Sequence, residues 1–433
     1  MKRFLFVVLF LTFAPFAAHA VEIQDIQTEK GITAWLVEDH SNPIITLSLT
    51  FRGGAALDPE GKEGLANFVA STIDEGAGDL DSQDFQGTMR NNSINLKFDA
   101  GLESLSGSMQ TLRENRETAF ELLKLSVNAP RFDEEAIERI RAQISMILRQ
   151  NSQDPDRLAA RAFYQRLFPD HPYSKPSDGT IESVASITAD DMRAFVKRRF
   201  AKNNLVLGVV GDISAAELKS LLDKTFGDLP DTATDWVLPE RKPSQDGGIS
   251  VVDHASPQSV IMFGQEGLKR KDPDFYPAYV ANYVLGGGSF ASRLFAEVRE
   301  KRGLAYSIYS YLAPYSYTSL WGGKVGTANE RVKETLEVVK AEWKRMAEKG
   351  VSEKELTDAK TYLTGSYHLR FGSSDAIAGI LVSMQVHDLG IDFLDRRNGL
   401  VEAVTHAQVN QVAKRLLDPD NLVFVVAGQP EGL

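Results

Sequence analysis

The feature that most constrains the fold is an internal repeat. Residues 187–211 match residues 404–428 without a gap, at a constant offset of 217 that places Thr188 on Thr405. Each copy has the pattern of a helix followed by a buried strand that ends in glycine. A match of this length indicates duplication, so we predict two homologous domains in which Asn204–Gly211 and Asn421–Gly428 are equivalent strands.

Outside the repeat, strands and helices come in blocks and do not alternate strictly. Alternating or β-branched runs predict strands at Ile44–Phe51, Ile94–Phe98 and Leu102–Met109. Three helices are predicted to follow in series. This order favours an α+β fold over a doubly wound parallel sheet.

The predicted domains are 21–228 and 249–433, joined by a polar, proline-rich linker over 229–248. The chain has 433 residues, which suits two or three domains. Its net charge is −11 and it has no long basic run, which disfavours nucleic acid and anionic membranes as partners. It contains no cysteine, so disulfides and thiolate zinc sites are excluded.

The first 20 residues have the pattern of an export signal. Lys2 and Arg3 precede an apolar stretch over Phe4–Ala17, and Ala18-His19-Ala20 fits a small-x-small cleavage site. We predict cleavage after Ala20, a periplasmic location and no membrane attachment of the mature chain. The alternative is an uncleaved signal that stays as an anchor.

In the second half, the glycine run Gly286–Gly288 precedes a helix predicted over Phe290–Arg302. Gly303 should end that helix. A strand should follow with strict alternation, in which one face carries Tyr306, Ile308 and Ser310 and the other Ala305, Ser307 and Tyr309.

This arrangement places Arg299 at the end of a helix and Tyr306 at the start of the next strand. A guanidinium and a phenol joined by a tight turn can aim at one point, and both can donate hydrogen bonds to a carbonyl oxygen or an oxyanion. The alternatives are a solvated helix face for Arg299 and an ordinary half-buried packing role for Tyr306.

The stretch from Ser292 to Tyr306 resembles the C-terminal-half signature of the pitrilysin/insulysin group of zinc peptidases, which includes the mitochondrial processing peptidases. In that family a Ser-Arg-Leu helix leads through Arg-Glu-x-Arg-Gly-Leu-Ala-Tyr into a strand. The resemblance implies that Arg299 and Tyr306 bind substrate held at the zinc. It covers nearly the whole chain after residue 20 and implies an antiparallel-dominated sheet packed with helices in each half.

Active members of that family carry His-x-x-Glu-His on a first-half helix, with a further glutamate downstream. At the matching place here Asn67 and Ser71 stand at the two histidines, Ala70 at the general-base glutamate and Ile147 at the downstream glutamate. These side chains offer neither imidazole nor carboxylate to a metal. None of the seven histidines has another three or four residues away, so we predict no metal site and no catalytic residue in this chain alone.

The resemblance therefore implies a non-catalytic, substrate-binding subunit of a heterodimeric zinc metalloendopeptidase. Zinc is expected in a homologous His-x-x-Glu-His partner, to which Arg299 and Tyr306 would be supplied in trans, with a peptide or unfolded protein as substrate. The alternative is an inactive peptide-binding or scaffold protein without a catalytic partner. A self-sufficient hydrolase has no support, since the chain has neither a Gly-x-Ser-x-Gly motif nor a cysteine nucleophile.

Overall fold

The structure, a computed structural model, describes residues 22–433, so the predicted signal peptide lies outside the described residues. The strands of the first half are β1 (Gln24–Gln27), β2 (Thr33–Glu38), β3 (Ile44–Arg52), β4 (Asn95–Ala100), β5 (Ser104–Leu112) and β6 (Leu205–Gly211). Its helices are α1 (Leu65–Thr72), α2 (Ser82–Asn91), α3 (Arg116–Asn128), α4 (Glu134–Asn151), α5 (Pro155–Leu167), α6 (Ile181–Ser186), α7 (Ala189–Arg199) and α8 (Ala215–Phe226). The strands form one sheet in the order β1-β2-β6-β3-β5-β4.

The second half repeats this plan with one strand fewer. Its strands are β7 (Ile249–Asp253), β8 (Gln258–Glu266), β9 (Ala305–Ala313), β10 (Leu320–Ala328) and β11 (Val423–Gly428). Its helices are α9 (Phe275–Asn282), α10 (Arg293–Phe295), α11 (Val332–Lys349), α12 (Glu353–Gly365), α13 (Ser374–Val386), α14 (Phe393–Glu402) and α15 (His406–Leu416). The sheet order is β7-β11-β8-β10-β9.

The two strands of the sequence repeat occupy equivalent places. β6 lies between β2, to which it is parallel, and the antiparallel β3, while β11 lies between the parallel β7 and the antiparallel β8. The remaining pairs in both sheets are antiparallel. The preceding helices α7 and α15 both begin with a threonine capping box, at Thr188 and Thr405. The predicted α+β fold with two homologous domains is therefore confirmed.

The glycines that end the two repeat copies, Gly211 and Gly428, are required for the same physical reason. Gly211 and Gly428 have φ values of +136° and +151°, a backbone conformation that L side chains rarely adopt. A Cβ at Gly211 would lie 2.1 Å from the Ile44 carbonyl oxygen, and one at Gly428 would lie 2.2 Å from Ser259 Oγ. Each glycine thus lets its strand end close against the neighbouring antiparallel strand.

The two halves exchange helices. From the first half, Phe163 on α5 packs against second-sheet residues that include Met262 and Val425. From the second half, Leu381 on α13 packs against Val210 on the first sheet. The limits 21–228 and 249–433 remain a prediction, and this packing shows that each half covers a sheet of the other.

A glycine on each sheet makes room for the exchanged helix. A Cβ at Gly208 on β6 would lie 2.6 Å from the Ala378 carbonyl oxygen of α13, and one at Gly264 on β8 would lie 2.9 Å from the Phe163 ring of α5. Gln385 on α13 also donates a hydrogen bond to the Leu207 carbonyl oxygen, at 2.8 Å. Close approach of helix backbone to sheet therefore depends on the missing side chain.

The predicted linker over 229–248 contains no helix or strand, yet its backbone is tied to both halves. The amide of Thr234 donates to the Arg198 carbonyl oxygen at 2.9 Å, and that of Arg241 donates to the Tyr317 carbonyl oxygen at 3.0 Å. No helix within residues 22–433 has the length and apolar character needed to cross a membrane.

The start of α1 is capped from outside the helix. Gly64, the residue before it, has φ +91° and offers no side chain. Asp58 instead accepts hydrogen bonds from the amides of Gly64, at 2.9 Å, and Ala66, at 3.1 Å. The Asp58 residue is only 8% exposed, and burial raises the pKa of its carboxyl to about 7, against the opposing effect of the amide donors.

Replacing Gly208 with alanine should weaken the packing of α13 against the first sheet. The added methyl group would contact the backbone of α13, so we expect Gly208→Ala to lower the free energy of unfolding by about 1–3 kcal/mol. The matched control is Gly379→Ala on α13, where an added Cβ meets nothing within 4 Å and alanine favours the helix by about 1 kcal/mol. Urea unfolding of both variants measures this. Equal free energies of unfolding for Gly208→Ala and Gly379→Ala would contradict the packing role of Gly208.

Asp58 should make stability depend on pH. Its folded-state pKa of about 7 lies above the ordinary 3.8, so the folded chain keeps a proton that the unfolded chain has lost between these values. This stabilisation is present at low pH and is lost as the pH rises through about 7. Between pH 7 and pH 5 the wild type should gain on the order of 2 kcal/mol over Asp58→Asn in urea unfolding. A difference that is the same at both pH values would contradict this assignment.

Candidate functional site

The segment that leads to Arg299 is not the single helix predicted over Phe290–Arg302. A π-helical turn over Tyr283–Gly287 follows α9, and a 3-10 turn covers Ser289–Ala291. After the short α10, a second π-helical turn covers Ala296–Glu300. A π turn accommodates an extra residue and is frequent at functional sites. Gly303, with φ +58° and its amide bonded to the Arg299 carbonyl oxygen, ends the segment as predicted.

The Ser-Arg-Leu part of the motif anchors this segment to the domain. Arg293 makes a bidentate ion pair with Glu355 on α12, with N–O distances of 2.6 and 2.7 Å. Burial alone would raise the pKa of the Glu355 carboxyl, but Arg293 and the amide and hydroxyl of Ser352 hold that pKa at about 2. Leu294 is fully buried in the core of the second half. The segment is therefore fixed from two sides.

The glycine run also has a packing reason. A Cβ at Gly286 would lie 2.4 Å from Ser310 Oγ and 2.7 Å from Ser310 N, so glycine is needed where the turn touches β9. Ser289, just after the run, has a left-handed φ of +48°. Such a conformation is uncommon for a residue with a side chain and places Phe290 on a turn where it is 70% exposed.

A β-bulge re-aims Tyr306. Val325 on β10 pairs with Ile308, and Thr327 pairs with Ala305, so Tyr306 and Ser307 together lie opposite the one residue between them. Ala305 and Ile308 are both buried as a result, and the prediction that Tyr306 shares the face of Ile308 is wrong. The extra residue breaks the alternation and directs a side chain away from the sheet. Tyr306 is 84% exposed, so it is not a half-buried packing tyrosine.

The structure brings Arg299 and Tyr306 together. The Arg299 guanidinium carbon lies 4.8 Å from the centre of the Tyr306 ring, 4.9 Å from that of Phe295 and 5.6 Å from that of Phe290. Cation–π attraction holds a guanidinium at these distances and leaves its edge N–H groups able to donate. Sequence reasoning missed Phe290, whose signal was an aromatic residue two positions after a glycine run.

Arg299 differs from its charged neighbours. Lys301 and Arg302 both pair with Glu297, at 2.6 Å. No carboxylate lies within 4 Å of Arg299 in the part of the chain that the structure describes. Arg299 is half-buried under aromatic rings, so it does not belong to the solvated helix face that its sequence context allowed. The result is a half-buried cation on a π-helical turn beside an exposed phenol on an edge strand of the sheet.

The positions that match the family's zinc ligands form no metal site. Asn67 and Ser71 are half-buried on α1, and the Ser71 hydroxyl donates to the Asn67 carbonyl oxygen at 2.8 Å. Ala70 is buried, and Ile147 on α4 is 51% exposed. Within residues 22–433 no group of three or more histidine, cysteine or acidic side chains could hold a metal ion. The donor set at these positions therefore does not fit zinc.

The matching family models cover both halves of the chain. The model described as "Insulinase (Peptidase family M16)" matches residues 33–180, and the model described as "Peptidase M16 inactive domain" matches residues 186–363. The first match includes α1 with its replaced ligand positions, and the second includes Arg299 and Tyr306.

Curated and solved proteins agree with these matches. The chain is 28% identical to the "Non-peptidase homolog YmxG" of Helicobacter pylori, with 98% of both chains covered. A crystal structure of a peptidase M16 inactive domain from Pseudomonas fluorescens has a TM-score of 0.88 and 29% identity, covering 94% of this chain and 98% of that one. A chain of complex III2 from Candida albicans shares the fold at a TM-score of 0.77 and 17% identity, covering 95% and 97%. The chain therefore belongs to the M16 peptidase family, as a non-catalytic member without the zinc-binding residues.

Proposed function

We propose that this chain is the non-catalytic, substrate-binding subunit of a heterodimeric zinc metallopeptidase. The observation that carries the proposal is the pair formed by the half-buried Arg299 and the exposed Tyr306. Both side chains can donate hydrogen bonds, and the Arg299 guanidinium, from a π-helical turn, lies beside the ring of Tyr306 on a bulged edge strand. Neither the ion pairs nor the packing of the described chain accounts for their outward position.

The chemistry of the pair suits an oxyanion. Peptide hydrolysis builds negative charge on the carbonyl oxygen, and donors fixed before the reaction stabilise that charge. The Tyr306 hydroxyl and the edge of the Arg299 guanidinium are two such donors, and the rings around Arg299 restrict its motion. Donors that are held in place cost little reorganisation when the transition state forms.

The pair would act in trans, because the zinc chemistry is missing from its own chain. Asn67, Ala70, Ser71 and Ile147 supply no ligand and no general base. We therefore propose a homologous partner that carries His-x-x-Glu-His and a zinc ion, with a peptide or an unfolded protein as the shared substrate. We also propose that the two subunits meet in the periplasm, after removal of residues 1–20.

The second candidate function is a scaffold without a catalytic partner. A chain of the complex III2 assembly from Candida albicans shares this fold, which shows the fold inside a larger complex. The relative from Helicobacter pylori is named a non-peptidase homologue. A scaffold does not need exposed hydrogen-bond donors at Arg299 and Tyr306, and this difference decides between the two candidates by experiment.

The first prediction from the proposed function concerns metal binding. Because the ligand positions hold Asn67, Ser71 and Ile147, the purified chain should bind no stoichiometric zinc and should cleave no peptide alone. Elemental analysis and a peptide-cleavage assay, each with and without a chelator, measure this. One tightly bound zinc per chain together with chelator-sensitive proteolysis would contradict the proposal.

The second prediction concerns the pair. Tyr306→Phe keeps the ring and removes the hydroxyl, so it should lower kcat of the reconstituted heterodimer by about a hundred- to a thousand-fold, the usual effect of losing one oxyanion donor. Arg299→Lys should also lower kcat, because an ammonium group cannot replace the planar fork.

The control for this prediction is Tyr309→Phe, on the same strand and also exposed, which should leave kcat unchanged. Size exclusion of each variant with the partner checks that the heterodimer still forms. Unchanged kcat in both site variants, with the heterodimer intact, would favour the scaffold.

A further inference from the structure

A cavity of about 370 Å³ lies where the first half meets a loop of the second. Its walls come from the end of α4, from α5, from the segment Tyr173–Gly179 and from Tyr315. The volume falls within the range of about 300–1,000 Å³ typical of ligand pockets. Neither the sequence motifs nor the proposed oxyanion role uses this cavity.

The inner wall is apolar. Leu102, Leu148 and Leu158 line it together with the rings of Tyr164 and Tyr315. The two phenol oxygens lie 2.6 Å apart and form a hydrogen bond with each other. The surface that these residues present to the cavity is therefore mainly their apolar rings. Burial raises the pKa of both phenols, which therefore stay neutral. The inside of the cavity thus suits an apolar group.

The mouth is cationic. Arg157 and Arg161 are one helical turn apart on α5, and both are exposed and line the cavity. No carboxylate lies within 4 Å of either guanidinium among residues 22–433, although the adjacent Asp156 pairs with Lys324. Lys175 is already paired with Glu63, at 3.1 Å. Asp178 is the one carboxylate that lines the cavity, and Glu182 interacts with Arg161 over a longer distance. The mouth therefore presents two guanidinium groups that have no close ion pair.

We propose that this cavity binds a carboxylate carried on an apolar group, and that the C-terminal residue of a peptide supplies both. A guanidinium binds a carboxylate through two parallel hydrogen bonds, and two guanidinium groups stand at the mouth. The apolar side chain of the same residue would replace water against the leucine and tyrosine wall. The inference rests on the proposed peptide-binding function and names the part of the peptide that is recognised.

The surface beside the cavity favours a peptide over a free organic acid. Ile147 lies one turn before the lining residue Asn151 on α4, on the same helix face, and is half exposed. This side chain extends the apolar contact outside the cavity, where the preceding residues of a bound peptide would lie. The position that the family uses for a zinc ligand would thereby serve peptide binding.

The test measures binding to the full chain without any partner. The probe is an N-terminally labelled peptide, Ala-Ala-Ala-Ala-Leu, with a free C-terminal carboxylate, and fluorescence anisotropy reports its binding. The C-terminal amide should bind at least about ten-fold more weakly, the loss expected for charge-assisted hydrogen bonds. Equal binding of acid and amide would overturn the proposal, as would the absence of saturable binding by the acid.

Variants locate the site. Arg157→Gln with Arg161→Gln should weaken binding of the acid by about ten- to a hundred-fold. The control pair, Arg149→Gln with Arg198→Gln, removes the same charge from exposed positions outside the cavity and should leave binding unchanged. Ala160→Trp keeps the charge but fills the cavity, and it should abolish binding of the acid. Equal losses in the control pair would show general electrostatic attraction and overturn the site.

Competition with a free organic acid shows whether the bound carboxylate comes from a peptide C-terminus or from a small acid. Octanoate should displace the labelled peptide only at much higher concentration, because it lacks the peptide backbone and the contact with Ile147. Octanoate binding without peptide binding would overturn the assignment to peptides. Since no zinc partner is present, failure here is distinguishable from failure of the oxyanion role, which Tyr306→Phe tests in the heterodimer.

Discussion

The structure depends on the close contact between each sheet and a helix from the other half. Gly208 and Gly264 leave the space that α13 and α5 occupy, and a Cβ at either position would meet the helix. Buried apolar side chains of α5 and α13 pack against buried apolar side chains of the sheets that these helices cover. Moving the halves apart would expose these apolar surfaces to water, which is unfavourable in proportion to the area exposed. The two homologous domains therefore act as one interlocked unit.

This interlocking also places the binding surfaces. α5 packs Phe163 against the second sheet and turns Arg157 and Arg161 toward the cavity. The cavity is closed by Tyr315 from the second half, whose hydroxyl meets that of Tyr164. Glu103 joins the same region, since it accepts hydrogen bonds from Tyr173 and from the Ser316 amide. A site assembled from both halves is thus fixed by the same contacts that hold the halves together.

The loss of the zinc ligands has left the fold of α1 intact for a physical reason. The helix is held by Asp58 at its start and by buried residues such as Phe68 and Val69. The ligand positions Asn67 and Ser71 are only half-buried and contribute little to that core. Their chemistry could change without a large cost in stability. Around Arg299 the backbone departs from regular structure, at the left-handed Ser289 and at the bulge that contains Tyr306. Such departures cost stability and tend to accompany function.

The sequence by itself determined the duplication, the α+β class and the missing ligands. These follow from a repeat, from hydrophobic spacing and from residue chemistry, all of which can be identified from the residues without knowing which parts of the chain contact each other. It also brought Arg299 and Tyr306 to adjacent elements, because a short turn joins them.

Tertiary structure decided the helix exchange, the direction of Tyr306 and the cavity. Spacing along α13 cannot show which sheet it covers, because an apolar helix face fits either sheet. A bulge arises from pairing with β10, so the sequence of β9 alone predicted an alternation that pairing overrides. The contact between Tyr164 on α5 and Tyr315, which closes the cavity, joins residues far apart in sequence. Their proximity results from packing, which local patterns do not encode.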